Sequence, residues 1–497
     1  MLDFICSHPR MIEPGNSRSR APMSALDTAR VKTRRFRQLC QFQVSGYLLA
    51  VFALTTPAAA QQTPRELPPH QRAIAAGYKA LTLCEGQFGG GRTPEQIAAL
   101  ELTGIYPEYE ALVAELPATS DRQDRSVSVP FAPDMPPRLA YWVQRFGCSL
   151  APIGGKRILP PLLHPNPSMP IPADPRAWPM GDGGIAPKPS RALDAAVAAA
   201  FDPAVSKGRT TGVLVLHDGK VIAERYADGF GPLVPNRTWS VAKSIAGTLI
   251  GIAVADGKLD PMKPAPIPEW RGLGDPRAAI TLDQLLRMAS GLGSDTAGNR
   301  TDAIYFGGTS VTEQAVNWPL VASPGSTFRY ANNDTLLAVR ALRSALADDN
   351  AYTGYPTDRL FGPLGMVHST TGVDWQLNFV LSSQVWSTAR DFARLGELWR
   401  NDGVWQGKRI LPEGWVKYMT TPSGPQPATG PGYGATLWLF GPKQGLPEGS
   451  YAAQGNRGQS IFVIPSAKLV VVRRGEDQAG NAFDAPHLVA EVLKAVQ

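Results

Sequence analysis

From Val241 to Ala255 the chain is made of Ile, Leu, Val, Ala, Gly and small hydroxyl residues, and Lys243 is the only charge among them. A segment this apolar on every side has no face to give to water. As a helix it must be enclosed by other elements, which requires a domain with a sizeable core. Enclosure also acts on the lysine, because burial disfavours the ammonium form and lowers the pKa of the amine. Ser240 stands three residues ahead, where the helix should begin, and residues three apart share a helix face. A hydroxyl then lies beside an amine able to take its proton near neutral pH, as nucleophilic serine catalysis requires. The competing reading is a capping serine at a helix N-terminus and a lysine that reaches out to water.

A second motif lies downstream. Ser323-Pro324-Gly325 reads as a tight turn that delivers Tyr330-Ala331-Asn332 ahead of a helical run from Leu336 to Leu346. Ser240-x-x-Lys243 followed by Tyr330-Ala331-Asn332 resembles the serine β-lactamase and penicillin-recognising superfamily, and within it the class C branch with its esterases and nylon-oligomer (6-aminohexanoate dimer) hydrolases. The resemblance covers about Ser190 to Gln497. It implies Ser240 as nucleophile, Lys243 as its proton partner, Tyr330 as a second acid/base and Asn332 as a hydrogen-bonding brace. Leu285 to Leu292 is similar to a family Leu-Leu-x-x-x-Ser-Gly-Leu segment, with Met288 where a histidine is common, and Phe361 to Met366 is similar to a family turn.

The family's usual Lys-Thr-Gly has no counterpart here. In its place stands Gly455-Asn456-Arg457-Gly458-Gln459, similar to the Gly-x-x-Gly-Gln form of the nylon-oligomer hydrolase-like members. With Gly455 as the motif glycine, the resemblance implies that the backbone N–H groups of Asn456 and Ser240 form an oxyanion hole. The missing lysine argues against efficient β-lactam hydrolysis. Arg457 is either a contact for a substrate carboxylate or a structurally paired cation. Tyr305, in a glycine-bounded loop, is either a lid residue over the site or an aromatic packed beneath the loop. Trp239 reads as a packing residue.

Other chemistries lack their signatures. The six histidines adjoin no Gly-x-Ser-x-Gly elbow, and there is no His-Glu-x-x-His, Cys-x-x-Cys pair or acidic calcium loop, so neither a metal nor a cofactor is expected. The chain holds 49 basic and 42 acidic residues, but residues 1–60 carry 8 basic and 3 acidic ones, leaving 41 against 39. The basicity is therefore largely a targeting feature and implies no nucleic-acid partner. Arg34, Arg35 and Arg37 precede an apolar run from Gly46 to Leu54 and then Ala58-Ala59-Ala60, which reads as an export signal cleaved after Ala60, with Met1 or Met23 as the start. The run is too short to span a bilayer, so no membrane span is expected after cleavage, and a periplasmic or secreted bacterial location follows. Removing the signal leaves Cys84 and Cys148, which in an oxidising compartment form one disulfide or else remain two buried thiols.

The expected organisation is a signal with an N-terminal extension over 1–60, a small, mainly helical region over 61–150, a Pro/Gly-rich linker over 151–189, and a catalytic domain over 190–497. Helical patterns at Pro94–Leu102 and Tyr109–Leu116 support the second assignment. In the catalytic domain, hairpin signals at Gly212–Glu224, around Asp218-Gly219, and at Ile461–Arg473 predict an α+β fold. That fold is an antiparallel sheet flanked by helices, with a mostly helical lobe from about Leu259 to Asn378 and a closing helix at His487–Val496. The expected function is an exported serine hydrolase that cleaves amides or esters of small molecules or peptides through an acyl-enzyme. A D-alanyl carboxypeptidase or weak β-lactamase is the nearest alternative, and a catalytically silent cell-wall peptide binder is the alternative outside enzymology. Substrate identity and oligomeric state are not legible.

Overall fold

The computed structural model describes residues 67–157, 171–294 and 301–497. The export signal and its cleavage point lie outside the described residues. The catalytic domain is organised on a seven-stranded antiparallel sheet in the order Gly432–Tyr433, Trp438–Phe440, Ser450–Gly455, Gln459–Ile464, Leu469–Gly475, Thr210–His217, Lys220–Tyr226. The first long strand of the domain therefore pairs with its last, Val213 facing Arg473 and Leu216 facing Val470. The Asp218-Gly219 turn takes left-handed backbone at both positions, φ 48° and 75°, which is the requirement of a two-residue hairpin that Asp-Gly satisfies.

Alternation of side chains along the strands gives the sheet two apolar faces. Val213, Val215, Phe462 and Val471 pack against the helices Arg191–Ala199 and Ala485–Val496. Leu214, Leu216, Ile461, Val463, Val470 and Val472 belong to the larger core, with the helix Ala389–Arg400 beneath them. The helix Val241–Ala255 runs through that core with every residue from Val241 to Ala253 buried, as its composition demands. The lobe between Leu259 and Asn378 is mostly helical, and its longest helix, Asn332–Leu346, packs on the Val241–Ala255 helix.

The N-terminal region differs from the expectation of a mainly helical unit. Helices Pro69–Cys84, Pro94–Leu100 and Pro107–Glu115 are present, but Thr119 to Leu150 form a four-stranded antiparallel sheet packed on the first helix. The strands are short, two of them joined through Arg145 and Gly147 in left-handed backbone, and the longest, Arg138–Val143, has five of six residues buried and so shows no alternation. Cys84 and Cys148 are joined as a disulfide, Cα atoms 6.0 Å apart, which ties the helix to the last strand. This cap shares one continuous core with the lobe. Gly77 of its first helix lies so close to Phe306 that a Cβ there would stand 2.0 Å from the Phe306 carbonyl oxygen. Arg138 donates to that same oxygen at 2.9 Å.

The described linker residues Trp178 to Asp182 are held against the catalytic domain. Arg394 donates to the carbonyls of Pro179 and Gly181, Arg390 to that of Asp182, and the Trp178 indole N–H to Gly219. Among the described residues no helix is long and apolar enough to cross a membrane.

Candidate active site

Ser240 is the N-cap of the buried helix. The chain reaches it from the short strand Asn236–Arg237, whose extension pins Thr238 N–H to the Val385 carbonyl at 2.8 Å. It then reverses at Trp239, which holds φ 49°, a conformation costly for a bulky side chain and tolerated where surrounding structure enforces it. The reversal places the Ser240 hydroxyl at the mouth of a cavity of about 710 Å³. Lys243, one turn on, is 1% exposed. Its Nζ lies 3.0 Å from Ser240 Oγ, 2.7 Å from Asn332 Oδ1 and 2.9 Å from the Ser382 carbonyl oxygen. Desolvation lowers the Lys243 pKa to about 7. Its place in the first turn of a helix acts in the same direction, because that end of the peptide dipole disfavours a cation.

Tyr330 arrives from the other side. Gly325, at φ 80°, makes the turn that its Pro-Gly signature predicted, and Arg329 N–H bonds to Met288 O at 2.8 Å, so the phenol is set just before the helix Asn332–Leu346. The Tyr330 phenol faces the side chains of Ser240 and Trp438, its ring packs on Trp438 and Tyr433, and burial pushes its pKa up to about 12. Asn332 is buried and oriented by a bond from its Nδ2 to Thr301 Oγ1 at 2.9 Å, which aims its Oδ1 at Lys243.

The third motif approaches the nucleophile from the sheet. The strand Ser450–Gly455 ends against the backbone of Ser240, where a Cβ on Gly455 would lie 2.4 Å from Thr238 O and 3.0 Å from Ser240 N. Only glycine allows that approach. Asn456 follows beyond the last ladder pair, Gly455 with Gln459, and its side chain accepts from the Arg457 N–H at 2.9 Å.

For Arg457 and Tyr305 the structural alternative holds over the substrate-contacting one. Arg457 lines the cavity, but its guanidinium is buried and committed: Nε pairs with Glu476 at 2.7 Å, and the remaining nitrogens donate to the carbonyls of Leu100, Thr103 and Gly104. It is not available to a substrate carboxylate. Tyr305 is not a lid; it is 5% exposed, its hydroxyl bonded to Ser382 Oγ at 2.6 Å, behind the carbonyl that receives Lys243. Trp239 packs as expected, over the Arg237 guanidinium at 3.7 Å, while also lining the cavity.

Sequence reasoning missed Ser382, Thr301, Trp438 and the cap residues Ile105 and Tyr106, all of which build or line the site. Ser382 acts through a backbone carbonyl, which carries no side-chain signature. Trp438, paired across the hairpin with Tyr433, was the one that an aromatic-pair search could have flagged. Among the described residues no group of His, Cys, Asp and Glu suited to a metal ion is present.

A buried helix bearing Ser240 and Lys243, a tyrosine from the lobe and a glycine-ended strand from the sheet define a serine hydrolase of the β-lactamase fold. The sequence profile of the Beta-lactamase family matches residues 197–494, and the chain belongs to that family. It is 26% identical over 305 residues to the 6-aminohexanoate-dimer hydrolase of Paenarthrobacter ureafaciens, covering 53% of this chain and 72% of that protein. In fold it is similar to a family VIII carboxylesterase, with TM-score 0.51 and 15% identity over 63% of this chain and 98% of the other. It is similar also to a penicillin-binding protein homologue from Caulobacter crescentus, with TM-score 0.50 and 18% identity over 62% and 97% of the two chains.

Proposed function

We propose that the protein cleaves esters or amides through an acyl-enzyme on Ser240. One observation carries this reading: Ser240 Oγ lies 3.0 Å from a buried lysine amine, with the Tyr330 phenol facing the same hydroxyl across the cavity. As Ser240 Oγ attacks the substrate carbonyl carbon, its proton passes to the neutral Lys243 amine. The carbonyl oxygen becomes an oxyanion received by the N–H groups of Ser240 and Asn456. The carbon–leaving-group bond then breaks as Tyr330 gives its own proton to the departing alcohol or amine, leaving an ester on Ser240, and the proton held by Lys243 restores the phenol. Water adds to that ester by the same route, giving the acid and restoring the serine hydroxyl.

The relative named as a 6-aminohexanoate-dimer hydrolase and the neighbour named as a carboxylesterase support amide or ester cleavage as the reaction class. Carboxypeptidase or β-lactamase activity calls for a cation to hold the substrate carboxylate, and the commitment of Arg457 to Glu476 favours the esterase and amidase reading over it. We also propose export, which the Cys84–Cys148 disulfide supports because such bonds persist in oxidising compartments.

The test is turnover of p-nitrophenyl esters by wild type and Ser240→Ala, with circular dichroism on both. The expected outcome is ester hydrolysis that the mutation abolishes while the fold is retained. Equal turnover by folded Ser240→Ala would move the site elsewhere.

A further inference from the structure

One wall of the catalytic cleft comes from outside the family-matched segment. Residues Gly104, Ile105 and Tyr106 of the cap line the cavity beside Ser240. Their loop is held from several sides. Arg457 donates to the carbonyls of Leu100 at 3.0 Å and Thr103 at 3.1 Å, Ala479 N–H to Gly104 O at 2.9 Å, and Arg209 Nη1 to Thr103 Oγ1 at 2.7 Å. The Tyr106 ring stands edge-on to Trp239, centroids 6.4 Å apart, next to the nucleophile. Ile105 is buried, and Phe483 closes the same side over the Arg473 guanidinium.

The charges around the cleft are matched internally. Arg473 pairs through both terminal nitrogens with Asp477, at 2.7 and 2.8 Å, Arg457 pairs with Glu476, and Lys243 is held by Asn332 and Ser382. Among the described lining residues neither a cation nor an anion is left to pair with a charged substrate group. A chain ending in a carboxylate or an ammonium would enter this cleft and lose water without gaining a countercharge, whereas an apolar chain would gain by leaving water against Ile105, Tyr106, Trp239 and Phe483.

We propose that Tyr106, supplied by the cap, is a specificity-determining residue, and that with Ile105, Trp239 and Phe483 it selects substrates whose acyl chain is uncharged and apolar. Arg457 is its positioning residue, joining the third-motif strand to the cap loop. This inference rests on Ser240 as the nucleophile.

The test compares kcat/KM for p-nitrophenyl acetate, butyrate, hexanoate and hydrogen succinate, the last ending its acyl chain in a carboxylate. Wild type should favour hexanoate over acetate by about fourfold for each methylene that the wall covers. It should favour butyrate over the succinate by roughly tenfold or more. Tyr106→Ala should lower the hexanoate-to-acetate ratio by about fivefold, while Tyr106→Phe, which keeps the ring, should hold the wild-type ratio. A ratio unchanged in folded Tyr106→Ala, or succinate cleaved as fast as butyrate, overturns the proposal. Either result, obtained with Ser240→Ala inactive, leaves the nucleophile assignment standing; turnover by Ser240→Ala removes that assignment itself.

Discussion

At Lys243, two of the three groups around Nζ, Asn332 Oδ1 and the Ser382 carbonyl, can only accept hydrogen bonds. A neutral amine has two N–H bonds for them and one lone pair, which then faces Ser240 Oγ. That arrangement is compatible with the neutral amine, and the desolvated pKa of about 7 makes this form available at neutral pH. The neutral amine is the competent form, so kcat/KM should rise as pH passes upward through about 7. A profile for p-nitrophenyl butyrate between about pH 5 and 9, corrected for hydroxide, reads this directly; a rising limb near the ordinary lysine value would contradict it. Tyr330, raised to about 12, keeps its proton at neutral pH and is suited to deliver it to the leaving group. Tyr330→Phe should lower kcat by about 100-fold or more with the fold intact. Loss of under roughly threefold would assign the proton transfer to Lys243 alone.

At the scale of elements, the site is the junction of one helix, one strand end and one loop. Gly455 is the tightest point of that junction. A Cβ there would meet Thr238 O at 2.4 Å and push the strand away from the Ser240 backbone. Gly455→Ala should therefore separate the two oxyanion donors and cut kcat by about 100-fold or more, with a smaller change in KM. A mutant with wild-type kcat would show that Asn456 N–H takes no part. The helix bearing Ser240 and Lys243 was legible because composition alone demanded burial, and the Pro-Gly turn because it fixed where Tyr330 would be presented. Both hairpins were legible from apolar runs around their turns, whereas the pairing of the first long strand with the last carries no local signal. The cap sheet was not, because its strands run to only three to six residues, too few for a period to stand out from loop. The fate of Arg457 was not either, because Glu476 lies 19 residues away and the three carbonyls come from the cap, contacts that exist only in three dimensions.

Across the whole molecule, the cap is part of the enzyme's working surface and not an appendage. It shares the core of the lobe, donates through Arg138 to Phe306, and supplies one wall of the cleft. The Cys84–Cys148 disulfide closes 64 residues of it. Cys84→Ser with Cys148→Ser should lower stability by about 2–4 kcal/mol, read as a fall in Tm that reductant no longer deepens. An unchanged Tm would mean that packing alone holds the cap. The most direct test of the central claim is to trap the acyl-enzyme: treat wild type and Ser240→Ala with a fluorophosphonate, measure intact mass, and map the modified peptide. The expected result is a single adduct on Ser240 in the wild type and none on the folded mutant; an adduct on another residue, or one that persists in Ser240→Ala, would contradict it.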